Sequence, residues 1–177
     1  METLRAALRA AIDRLEAPTR TIDGVVRRTT GLILASNIEA AARPAGLALG
    51  LAAGLLGVWG GLSLFGLFAT IGLMTAGVGG AVVTLRVAAG TIISAAMAIG
   101  AAAGLMGDTR GGAVLWSAIW ALMIVTLAGI GVQSVVNLPQ TGFAFLPAAV
   151  SGELAMLPRV VILPGATLVL LALRVRR

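Results

Sequence analysis

Residues 45–85 read AGLALGLAAGLLGVWGGLSLFGLFATIGLMTAGVGGAVVTL, a stretch with no charged side chain, flanked by Arg43 on one side and Arg86 on the other. A helix rises ~1.5 Å per residue, so about 20 apolar residues cross a hydrocarbon core of about 30 Å. The stretch is long enough for two crossings and predicts a transmembrane helical hairpin. The turn itself would be apolar, and Gly60-Gly61 is its natural position, with Trp59 in the interfacial belt.

The rest of the chain agrees with a membrane setting. Of 177 residues, 59% are hydrophobic and only 11% charged, against about 25% charged in a soluble domain. The mean hydropathy is +1.03. Backbone polar groups in lipid must be satisfied within the spanning structure, which leaves helices or closed barrels. Barrel strands alternate polar and apolar residues, and these runs do not. The expected fold class is all-α: a polytopic transmembrane helical bundle with four clear spans, a short C-terminal hairpin broken by Pro and Gly, and an N-terminal amphipathic helical region.

Working outward, the spans are expected at 45–59, 62–85, 91–107 and 113–136. Residues 86–90 form a turn between the second and third, and the polar run 107–112 separates the third from the fourth. Trp116 and Trp120, four apart, share one helical face, which suits an aromatic belt anchor better than a binding surface. Beyond them lie 143–157, interrupted by Pro147 and Gly152, and 160–173, interrupted by Pro164 and Gly165.

Residues 1–43 are different material. They hold seven of the thirteen arginines and five of the seven acids. Leu4, Leu8, Ala11 and Leu15 fall on one face of a first helix that Pro18 is expected to end, with Arg5, Arg9 and Glu16 off that face. A second short helix carries Ile22, Val25 and Val26. Two readings stand. The helix lies in the membrane interface with its arginines toward anionic head groups, or it docks on the protein's own membrane domain. The chain thus divides into 1–43, an Arg-rich cytoplasmic or interfacial region, and 44–177, a transmembrane helical domain. No h-region follows Arg27-Arg28, so the N-terminus is expected to be retained.

Arginine bias places 1–43 on the cytoplasmic side of an inner membrane. With six crossings, eleven arginines lie inside, and Arg110 and Arg159 lie outside. Both termini are then cytoplasmic.

The strongest motif is glycine. Gly46, Gly50 and Gly54 recur every fourth residue, with Gly57 and Gly61 extending the ridge. Gly72, Ala76 and Gly80 repeat the spacing in the second span, and Ala96, Gly100 and Gly104 in the third. Such ridges let helix backbones approach closely in lipid. This texture resembles that of rotor-ring subunits of rotary ATP synthases, whose second helix carries an essential carboxylate. Residues 45–85 have none, so the likeness is one of packing. Arg86 and Glu153 are the candidate intramembrane polar residues. An ionisable group at mid-bilayer costs about 2.5–3.5 kcal/mol on insertion scales, which makes its presence a functional signal. Otherwise Arg86 snorkels from a turn, and Glu153 sits in a solvated loop.

Omissions constrain the chemistry. There is no His, Cys, Lys or Tyr. Histidine-based catalysis, thiolate and imidazole metal sites, and imine chemistry all lack their side chains. No catalytic residues, metal or cofactor are expected, and no enzyme. A basic N-terminus without a motif or interleaved aromatics gives no expectation of nucleic-acid binding. The expected partners are the lipid bilayer and other membrane subunits or copies of the chain itself. The sequence reading is a non-catalytic structural or accessory subunit of a larger membrane complex. The alternative is a small oligomeric channel, transporter or holin-like permeability protein.

Overall fold

The computed structural model describes residues 2–30, 44–70 and 77–141. These form four helices joined in sequence: α1 (Glu2–Thr30), α2 (Pro44–Thr70), α3 (Gly77–Leu105) and α4 (Arg110–Thr141). Three of them are long and apolar enough to cross a membrane, over Gly46–Thr70, Gly77–Leu105 and Arg110–Val132. The chain is a membrane-embedded helical protein. Gly72, Glu153 and the expected C-terminal hairpin lie outside the described residues.

The spans differ from the sequence expectation. Helix α2 runs through Gly60-Gly61, and α3 runs through 86–90 without a turn. Three spans therefore occupy the described part of the region read as four. Magnitudes explain the continuity. A glycine in a helix interior costs about 1 kcal/mol, whereas each backbone group unbonded in hydrocarbon costs several. Inside lipid, glycine is not a sufficient helix breaker. Hydroxyl groups obey the same rule: Ser63, Thr70, Thr84, Thr91 and Ser94 each donate to the carbonyl four residues earlier, at 2.7 to 2.9 Å. Trp59 consequently lies in the middle of α2, 73% exposed, and marks no turn.

Helix α1 also continues past Pro18. Proline removes one amide donor and leaves the carbonyl of Arg14 without its helical partner. Pro18 is exposed, so that carbonyl can turn to water. The break is braced by the Glu16–Arg20 ion pair and by the Thr21 hydroxyl, which donates to Ala17 O at 3.1 Å.

Helix α3 is central and packs along both α2 and α4, which touch each other little. Both pairs are antiparallel. A Cβ on Gly54 would stand 2.6 Å from Ala98 N, and one on Gly104 would stand 2.9 Å from Leu47 Cδ2. Across the other interface, a Cβ on Gly100 would stand 2.8 Å from Leu115 N, and Arg86 Cδ lies where a Gly129 side chain would be, at 2.5 Å. Leu47, Ala53, Met97, Ala101, Leu115, Trp116, Ile119 and Leu122 form the core. It lies toward the end of the bundle that holds Pro44 and the α3–α4 turn, called here the near end. The nine residues 111–119 of α4 are all buried. Trp116, 6% exposed, belongs to this core, and Trp120 meets it edge-on with ring centroids 6.2 Å apart. Trp116 is a packing residue and not a belt anchor.

Candidate functional site

Asp13 of α1 meets Arg110, itself paired with Asp108, where α1 packs on the α3–α4 turn, with Arg5 and Arg9 alongside. The turn is built from its sequence, Gly107-Asp108-Thr109-Arg110. Gly107 adopts φ +91, a conformation that a Cβ disfavours. Its amide donates to Gly104 O at 3.1 Å, and the Asp108 amide donates to Ala103 O at 3.0 Å. This is a Schellman cap that satisfies the last carbonyls of α3. Asp108 then starts α4, accepting from the Arg110 amide at 3.0 Å on Oδ1 and from the Gly111 amide at 3.1 Å on its carbonyl. One four-residue run thus caps the end of one span and the start of the next.

Arg110 ties this turn to α1. Its Nε and Nη2 donate to Asp108 Oδ1 and Oδ2, both at 3.3 Å, while Nη1 donates to Asp13 Oδ1 at 2.6 Å. Burial alone would push the Asp108 carboxyl up. The hydrogen bonds from the Arg110 side chain and backbone, with the charges of Arg110 and Arg9, outweigh that and hold it below the ordinary carboxylate value. Beneath the charges, Ile12 is fully buried with Ala103 and Val114, and Leu15 and Ile99 pack against them. Of the two sequence readings of α1, docking on the membrane domain is the one the structure displays. Ile12, absent from the predicted apolar stripe, is its anchor.

Arg5, Leu8 and Arg9 of α1 face Ala103, Met106 and the turn residues across a cleft of about 340 Å³. Arg5 and Arg9, both exposed, line this cleft beside the apolar contact.

The contact revises the sidedness of Arg110. Three crossings were expected between the N-terminal region and the 107–112 turn, which would separate them by the membrane. Among the described residues only α2 and α3 intervene, and Asp13 touches Arg110. The N-terminal region and this turn lie at one end. The physical reason is the uninterrupted helix across Gly60-Gly61: one fewer crossing reverses the side of every later segment.

The glycines are distributed unevenly over the two interfaces. Gly54 faces backbone atoms of Ala98 and Ser94, Gly57 faces the Ser94 side chain, and Gly61 faces Thr91. Gly50 faces the Leu115 side chain at 2.6 Å, and Gly104 faces Leu47. Gly46 and Gly80 are buried. Sequence reasoning missed Gly111, whose Cβ would meet backbone atoms of Gly104 and Gly100. Its signal was the Gly111-Gly112 pair at the start of the span, where the sequence reading saw only a polar turn. Arg86 lies within α3, roughly 13 Å from Gly77 along the axis, with its side chain laid over Gly129 of α4. Asp13, Asp108 and Arg110 were visible as charges, but their meeting depends on the span count.

Comparison of the chain with protein-family models, with curated proteins and with solved structures finds no match.

Proposed function

We propose that this chain is a non-catalytic subunit of a larger assembly in the cytoplasmic (inner) membrane, with its N-terminal region cytoplasmic. The observation that carries the reading is how the interior is used. Along α3 the gaps to α2 and α4 are closed by glycine against backbone or buried side chains. The outward faces present Leu55, Leu56, Trp59 and Leu62 on α2, Leu85 and Ile92 on α3, and Leu127 on α4. These faces are the surface available to lipid and to neighbouring subunits. Orientation follows from charge. The near end carries Arg5, Arg9, Arg14 and Arg110, whereas the α2–α3 connection, 71–76, contains no charged residue.

A second reading, a permeability protein, is favoured by Arg86. A guanidinium inside a span marks ion or substrate pathways in many membrane proteins. Among the described residues α3 lies between α2 and α4, which touch each other little, and the conducting form in this reading is an assembly of several copies.

Native mass spectrometry of the protein extracted from its own host in mild detergent separates the two. Masses that need additional polypeptides support the subunit. A single closed homo-oligomer that conducts in planar bilayers replaces it with the pore.

A further inference from the structure

The cleft between α1 and the α3–α4 turn has the composition and the position of a phosphate site at the bilayer surface. Arg5 and Arg9 are four apart on α1, so both guanidinium groups project from one face. Neither forms an ion pair among the described residues, whereas Arg110 is already held by Asp13 and Asp108. The two arginines bring positive charge to a cleft of about 340 Å³ whose carboxylate, Asp108, is turned onto Arg110. Planar guanidinium forks match phosphate oxygens in pairs. Across the cleft, Ala103 and Met106 supply an apolar wall beside the turn residues, and Leu8 adds an apolar side chain from α1.

Depth supports the same occupant. Helix α3 has 29 residues, roughly 43 Å at ~1.5 Å each. Centred on a hydrocarbon core of about 30 Å, its ends project roughly 6 Å into the head-group layers. The cleft at its C-terminal end therefore lies at head-group level, with its apolar wall leading down into the acyl region.

We propose that this cleft binds a phosphate group, and that the group belongs to an anionic phospholipid whose acyl chains continue along α3. Arg5 and Arg9 hold the phosphate. Arg110, fixed by the two aspartates, keeps α1 at the distance that leaves the cleft open.

The test uses the full chain purified in a neutral detergent and titrated with phosphatidylglycerol, phosphatidylcholine or inorganic phosphate, with bound lipid counted by native mass spectrometry. Phosphatidylglycerol is expected to be retained at least tenfold better than phosphatidylcholine, and millimolar inorganic phosphate should not displace it. The R5Q/R9Q double variant should lose about tenfold in phosphatidylglycerol affinity. R14Q/R20Q, which removes equal charge elsewhere on α1, should bind as the parent does. Hydrogen exchange of α1 confirms that each variant keeps α1 docked. Equal retention of both lipids overturns the proposal, as does equal weakening by the two double variants. Displacement by inorganic phosphate at comparable concentration overturns the lipid assignment and makes the site one for soluble phosphate.

Discussion

Replacing Gly54 by alanine is the sharpest test of the helix packing. A Cβ at this position would stand 2.6 Å from Ala98 N, 2.8 Å from Ser94 O and 3.0 Å from Ala98 Cα. All three are backbone atoms of α3, which cannot rotate away. Relief requires α2 and α3 to separate by about 0.8 Å, the shortfall from ordinary van der Waals contact. Overpacking of this kind costs about 1–3 kcal/mol. Against it stands the gain in helix propensity from Gly to Ala, about 0.8–1.0 kcal/mol. The net expectation is a destabilisation of about 0–2 kcal/mol. Gly60 and Gly66 of the same helix meet nothing within 4 Å, so alanine there should be neutral or stabilising by up to about 1 kcal/mol. Unfolding by sodium dodecyl sulfate in mixed micelles, followed by the fluorescence of Trp116 and Trp120 in the core, measures the difference. Isoleucine at Gly54 should be worse than alanine. If Gly54→Ala and Gly60→Ala shift the midpoint equally, the α2–α3 register is wrong.

Three further outcomes are expected. The chain lacks cysteine, so single cysteines at Ala7 and Thr109, both exposed, report sidedness cleanly; a membrane-impermeant maleimide should label both from the same face of oriented vesicles, and labelling from opposite faces would restore the extra crossing. Ile12→Ala removes the buried anchor of α1, a loss of about 2–5 kcal/mol for a core site, and should raise protease cleavage within α1 while the three spans stay protected. The Asp108 carboxyl is held below its usual value of 3.8, so its contribution is fully present above that pH and is lost as pH falls through the lower folded value; hydrogen exchange of the turn and α1 should rise below about pH 4, and Asp108→Asn should abolish most of that dependence.

The class of the protein was legible in the sequence. Long uncharged runs and a sparse charge content demand a solvent other than water, and lipid admits only helices or closed barrels. The polar turn at 107–112 was legible too, because Gly107 and Asp108 are the residue types that end one helix and begin the next. The division of 45–85 was not. Inside lipid both the helix and any turn within it are apolar, so composition cannot place the boundary, and Gly60-Gly61 misled because glycine's penalty is smaller than that of freed backbone groups. The sidedness of Arg110 was lost with that boundary.

Which glycines meet which neighbours depends on how the helices pair sideways, and residue spacing along one helix carries no information about its partner's register. Gly54 and Gly60 lie six residues apart in the same apolar stretch, yet one faces the α3 backbone and the other open space. The meeting of Asp13 with Arg110 joins residues 97 apart, and only the return of α3 to the near end brings them together. The sequence by itself determined the solvent, the helical class and the local caps, because those follow from side-chain chemistry within a few residues. The tertiary structure decided the number of crossings in the described region, the face of α1 that is buried, and the cleft at the near end, because each depends on distances between segments that the chain closes only when it packs.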